Sequence, residues 1–102
     1  MFTTLDDSNY KSTIAGTDAG ILICFKENCP HCKNMEKVLE KFAKKNEGVS
    51  FFNMDSEANP DAREELGAQR APTLFVIKGG AIVATKAGLM NPKEMTAFYK
   101  NA

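Results

Sequence analysis

Apolar and polar residues fall into short blocks along this chain, and the blocks predict alternating strands and helices. Phe2 to Leu5 has the length of a short edge strand. From Asp7 to Ala15, Tyr10 and Ile14 stand four apart, a one-face helical signal that Gly16 stops. The run Gly20-Ile21-Leu22-Ile23-Cys24-Phe25 does not alternate, so it reads as a strand covered on both faces. Pro30 to Asn46 is the strongest helix: Met35, Val38, Leu39 and Phe42 follow i, i+3, i+4, i+7 as one apolar stripe. Pro30 suits its first position, and Lys41, Lys44 and Lys45 suit its C-terminal end, with Gly48 as a stop. Val49 to Asp55 reads as a second inner strand. Asn59-Pro60 opens a short helix that Gly67 closes. Thr73–Ile77 and Ala81–Thr85 are strands joined by Lys78-Gly79-Gly80, a tight antiparallel hairpin. Asn91-Pro92-Lys93-Glu94 caps a last helix with Met95, Phe98 and Tyr99 on its apolar face.

The resulting order is β-α-β-α-β-α-β-β-α. Strands alternating with helices imply parallel pairing through right-handed crossovers, and the terminal hairpin adds antiparallel strands. The expected fold is α/β: one central mixed sheet of about five strands with helices on both faces. The 102 residues are expected to form one domain over positions 1–102, because a second would have too little core.

Composition narrows the function classes. The hydrophobic fraction is 43% and the charged fraction 25%, which argues against disorder. Thirteen Lys+Arg balance 13 Asp+Glu, so the basic excess of a nucleic-acid binder is missing. No apolar stretch is long enough to span a membrane. The start, Met1-Phe2-Thr3-Thr4-Leu5-Asp6-Asp7, has neither the basic nor the apolar region of a signal peptide, so a cytoplasmic location is expected. Three cysteines in a reducing compartment point to catalysis or metal binding rather than a structural framework.

The chemistry concentrates at Cys29-Pro30-His31-Cys32, after a buried strand and at the opening of a helix. Cys29 falls at the N-cap, where free N–H groups and the helix dipole stabilise an anion. Its thiolate is therefore expected to form well below the free-thiol pKa of ~8.5. Cys32, almost one turn on, can reach the Cys29 sulfur, so the pair can cycle between dithiol and disulfide. A structural bridge over so short a loop would contribute only about 2 kcal/mol of chain entropy. Zinc would need four ligands, and the segment offers Cys29, Cys32 and His31, with Cys24 in the buried strand. Such a motif can also hold an iron–sulfur cluster shared between two chains, but nothing in this sequence points to one. Cys24 itself reads as a small core residue.

Taken together, the chain resembles the thioredoxin family over nearly its whole length. The likeness is carried by Cys29 and Cys32 after the strand Ile21–Phe25, by Asn59-Pro60, Gly67, Ala71-Pro72-Thr73, Phe75, Lys78, Gly80, Ala84-Thr85-Lys86 and Gly88. Pro72 matches the family's cis-proline, which lies beside the two cysteines and leaves neighbouring backbone free to pair with a substrate strand. The resemblance implies substrate contacts at Ala71, Pro72 and Gly88. Arg70, where the family often has Gly, puts a cation at that rim.

The departures concern the site. The family's Trp before the first Cys is Asn28 here, and its Gly-Pro pair is Pro30-His31, which is similar to the periplasmic disulfide oxidases. The family's buried Asp and its Lys partner fall at Ile23 and Phe51, and its helix-kinking proline at Lys37. Without that Asp, His31 is the nearest titratable candidate to activate Cys32, with Glu27 further away; His31 next to Cys32 also favours the Cys29 thiolate.

The resemblance implies a thiol–disulfide oxidoreductase. Cys29 would attack a protein disulfide and Cys32 would resolve the mixed disulfide. It also implies a monomer without a cofactor, recycled by a thioredoxin reductase or a similar electron donor. Two alternatives stay open: a glutaredoxin-like enzyme coupled to glutathione, and a non-catalytic module for binding or metal transfer. The reference potentials of thioredoxin and the periplasmic oxidase are about −270 and −120 mV. With the Pro30-His31 pair between its cysteines, this chain is expected to lie between them. Equilibration with glutathione buffers measures this, and a value below about −270 mV counts against it.

Overall fold

The unbroken apolar run at Ile21–Phe25 becomes the centre of the sheet, because a helical layer covers each of its faces. In the computed structural model, which describes residues 1–102, the elements are β1 (Thr3–Thr4), α1 (Tyr10–Ala15), β2 (Ala19–Phe25), α2 (Pro30–Lys45), β3 (Ser50–Asp55), α3 (Pro60–Leu66), β4 (Thr73–Lys78), β5 (Ala81–Ala87) and α4 (Pro92–Lys100). The strands line up as β1-β3-β2-β4-β5. β1 and β2 run parallel to β3, β4 runs antiparallel to β2, and β5 antiparallel to β4. The antiparallel part thus begins where β4 meets β2, ahead of the hairpin itself.

Successive residues of β2 feed two separate cores, as the period of a strand requires. Leu22 and Cys24 pack with Tyr10 and Ile14 of α1 and Ala62 of α3. Ile21 and Ile23 pack on the other face with Met35, Leu39 and Phe42 of α2 and Met95 of α4. The apolar stripe of α2 is therefore the face that meets the sheet. No helix is long and apolar enough to cross a membrane.

Two helix starts differ from the sequence reading. α1 begins at Tyr10 rather than near Asp7, because the Asp6 carboxylate accepts from the N–H groups of Ser8 and Asn9 and holds a turn there. Asn59 stands at the N-cap of α3, but its side chain makes no cap bond. It accepts from the Asp7 N–H and donates to the Asp55 carbonyl instead. The Asp7 carboxylate supplies the missing acceptor, taking the Ala62 N–H at 2.8 Å. By contrast Asn91 and Glu94 form a complete capping box on α4.

Gly79 and Gly80 close the β4–β5 hairpin, with φ of 59° and 79°. Both values favour glycine. A Cβ on Gly80 would also lie 2.6 Å from the Ala15 carbonyl oxygen, since the turn sits against the end of α1.

Ile23 and Phe51 share the core under α2, and Ile23 has no exposure at all. A carboxylate placed there would be buried without a cation. Ile23→Asp is expected to cost about 3–5 kcal/mol near pH 7. Burial raises a carboxyl pKa above its unfolded value of ~3.9, so the loss is smallest below that value and grows as the pH rises. Urea unfolding at about pH 4 and about pH 7 measures it; equal losses at both would contradict this account.

Candidate active site

The site is built where β2 gives way to α2. After Phe25 the chain turns through Asn28, whose φ of 56° is left-handed. Asparagine tolerates that region better than most side chains. Cys29 is extended, with φ −112° and ψ 100°, and occupies the N-cap of α2. Its sulfur accepts the Cys32 N–H at 3.2 Å. Pro30 takes the first helical position, where its missing N–H costs nothing.

Cys29 and Cys32 are joined as a disulfide, with Cα atoms 5.3 Å apart. The two sulfurs are not equivalent. Cys29 is partly exposed, while Cys32 is 2% exposed and faces the protein. The outer residue can meet another molecule and the inner one cannot.

The opposite wall comes from the start of β4. The Ala71–Pro72 peptide is cis, and the Ala71 carbonyl oxygen lies 3.9 Å from the Cys29 sulfur. Pro72 is buried. The Gly88 N–H donates to the Pro72 carbonyl at 2.8 Å, which brings the end of β5 to the same rim. Two residues on, the Met90 N–H donates to the Met35 sulfur at 3.3 Å. The Gly88–Met90 segment is thus tied to β4 at one end and to α2 at the other. Sequence periodicity placed Met35 in the apolar stripe but carried no sign of this bond.

The structure brings Cys29, Cys32, Ala71, Pro72 and Gly88 together. Arg70 is exposed at the margin, and its backbone carbonyl accepts from the Thr73 hydroxyl. His31 is exposed on the first turn of α2 and makes no side-chain hydrogen bond. Beside the disulfide runs an open cleft of about 300 Å³, formed by residues 25–28 with Lys33 and Glu36 of α2. Nothing in the helical pattern distinguished Glu36 from the rest of the solvated face. No group of three or more His, Cys, Asp or Glu side chains is placed to hold a metal ion.

Known proteins place this arrangement. The thioredoxin family model matches residues 1–101. The chain belongs to the thioredoxin family. It is 31% identical to a thioredoxin of Haemophilus influenzae over 99 residues, covering 95% of this chain and 92% of the relative. It is 32% identical to a thioredoxin of Alicyclobacillus acidocaldarius, covering 89% and 87% of the two chains. Among solved structures, reduced desulfothioredoxin from Desulfovibrio vulgaris Hildenborough aligns over 100% of both chains with a TM-score of 0.86 and 38% identity. Oxidised mitochondrial thioredoxin 3 from Saccharomyces cerevisiae shares the fold, with a TM-score of 0.88 at 24% identity over 99% of this chain and 95% of that one. With its closely spaced cysteine pair, this member of the family is a thiol–disulfide oxidoreductase that reduces disulfides. Thioredoxins in general act on disulfide substrates and rely on reductase partners.

The third cysteine stands apart from this chemistry. Cys24 is fully buried in β2, and burial pushes its thiol from an ordinary 9.0 up to about 12. Its folded value lies above its unfolded one, so its neutral form contributes stability below 9.0 that is lost as the pH rises toward 12. The reduced native protein is therefore expected to alkylate readily at the partly exposed Cys29 and not at the buried Cys24. Mass spectrometry after iodoacetamide treatment, with and without denaturant, measures this; labelling of Cys24 in the folded protein near pH 8 would contradict its burial.

Proposed function

We propose that Cys29 is the attacking group and Cys32 the resolving group of a protein-disulfide reductase. The observation that carries this reading is the asymmetry of the pair: the sulfur of the partly exposed Cys29 caps a helix start and that of the buried Cys32 lies within bonding reach behind it. The free N–H groups of that helix start favour a thiolate at Cys29 once the pair is reduced. The thiolate attacks one sulfur of a substrate disulfide, forming a mixed disulfide and expelling the other sulfur as thiolate. Cys32 then loses its proton, attacks the Cys29 sulfur and expels the second substrate sulfur. The substrate gains two electrons and the Cys29–Cys32 pair loses them.

Pro30 fixes the first turn, and the exposed His31, the single histidine of the chain, directly precedes Cys32. Ala71, Pro72 and Gly88 form the shelf on which an extended substrate segment lies, with Arg70 available to an acidic residue at its edge. Return to the dithiol falls to a thioredoxin reductase or a comparable donor. We infer a monomer that works in the cytoplasm, a reading supported by membership of the thioredoxin family.

The test is reduction of a protein disulfide such as that of insulin, with electrons supplied by thioredoxin reductase or by glutathione in separate runs. Cys29→Ser is expected to abolish turnover. Cys32→Ser is expected to accumulate a mixed disulfide through Cys29, visible by mass spectrometry. Turnover with glutathione alone, at a rate matching the reductase, would instead favour a glutaredoxin-like cycle. Retention of full biological activity by the double Cys→Ser variant would overturn the enzymatic reading in favour of a binding module.

A further inference from the structure

The buried sulfur has a proton to lose and no acceptor inside the protein. Cys32 is 2% exposed. The core under α2, the helix that carries it, is formed by Ile23, Met35, Phe51, Leu74 and other buried apolar side chains. The buried polar side chains of the chain are Thr17, Ser56, Asn59 and Thr73, none of them a carboxylate or an imidazole. The proton must therefore leave through the surface that Cys32 does reach. That surface is the open cleft of about 300 Å³ beside the disulfide, and no other cleft of the molecule touches Cys32. A liquid water occupies ~30 Å³, so several fit.

Two carboxylates line this cleft, Glu27 and Glu36; His31 does not. Helix geometry separates them. Glu36 follows Cys32 by four residues on α2, so the two share one face with Cβ atoms about 5–6 Å apart. Helical side chains lean toward the N-terminus, which carries the Glu36 carboxylate back over the turn that holds Cys32. Glu36 is also partly buried, whereas Glu27 is exposed on the connecting segment.

We propose that Glu36 accepts the Cys32 proton through water in the cleft during resolution of the mixed disulfide. The proposal rests on the dithiol cycle described above. In the step, the Cys32 S–H proton passes through water to the Glu36 carboxylate. The resulting thiolate bonds to the Cys29 sulfur, and the bond from Cys29 to the substrate sulfur breaks. The departing thiolate takes up a proton, and Glu36 returns its own to solvent. The charged groups that face Glu36 are Lys26 and Glu27 across the cleft, Lys33 one turn back and Glu40 one turn on.

One equivalent of 5,5′-dithiobis(2-nitrobenzoate) tests this in a stopped-flow instrument. The reduced protein releases one coloured thiolate when Cys29 attacks and a second when Cys32 resolves, so the two phases report the two sulfurs separately. Glu36→Gln is expected to slow the second phase by at least about tenfold near pH 7 and to leave the first unchanged. The gap should close as the pH approaches ionisation of the thiol itself, since the thiol then needs no base. Glu36→Asp should keep most of the rate, because a water-relayed proton tolerates a carboxylate one methylene shorter. An unchanged second phase in Glu36→Gln, or a defect of the same size at every pH, would overturn the assignment. Absence of any second release from the unsubstituted protein would overturn the dithiol cycle on which it rests.

Discussion

Strand β2 is hydrogen-bonded along both edges, to β3 on one side and β4 on the other, and packed on both faces. Ile21, Leu22, Ile23 and Cys24 have no exposure. A strand held in this way has no freedom to slide, because a one-residue slip would exchange the residues of its two cores. Its C-terminal end therefore delivers Cys29 to a fixed point above the sheet. The same constraint places Pro72, since β4 pairs with β2 up to Thr73 opposite Cys24. Gly88 follows from Pro72 through a single backbone bond. The two walls of the site are thus set by pairings of one central strand, and the helix start adds the local field that a thiolate requires.

Much of this was legible in the sequence because the relevant signals are local. The non-alternating run of β2, the i, i+3, i+4, i+7 stripe of α2, the paired glycines of the hairpin and the Asn91–Glu94 box each depend on residues close in the chain, and each lies where it was read. The cysteine pair at a strand-to-helix junction is a signal of the same kind. What escaped depends on contacts between distant segments. Asp7 caps α3 from more than fifty positions away, and no local rule assigns that bond to it over Asn59. The Met90–Met35 bond joins two residues whose patterns announce only burial. The antiparallel pairing of β4 with β2 arises because the chain crosses α3 and returns in the opposite sense, which alternation of elements cannot reveal.

The polar side of α2 shows the limit of amphipathic reading most clearly. An exposed Glu in a helix rich in Lys and Glu is ordinarily a solvated face, and Glu36 has the sequence surroundings of one. Its difference is its distance from the helix start, four residues from a buried sulfur, together with the cleft that the preceding loop opens beside it. Position relative to another element supplies its meaning, and hydropathy does not.

The apolar pair Ile23 and Phe51 ties stability and chemistry together. Replacing a buried ion pair by well-packed apolar side chains is commonly neutral or stabilising, because two desolvation costs disappear. The core under α2 accordingly needs no charge to be satisfied, and Met35 can offer its soft sulfur to the Met90 N–H without competition from an ion. With apolar side chains at both positions the core under α2 holds no proton acceptor, and a buried thiol with no base nearby is a poor nucleophile at neutral pH. Burial of the same kind keeps Cys24 inert. Cys32 escapes that fate through its contact with the open cleft, so in this chain the proposed acid–base chemistry belongs to the polar rim of α2, where Glu36 lines the same cleft, and no part of it falls to the core beneath.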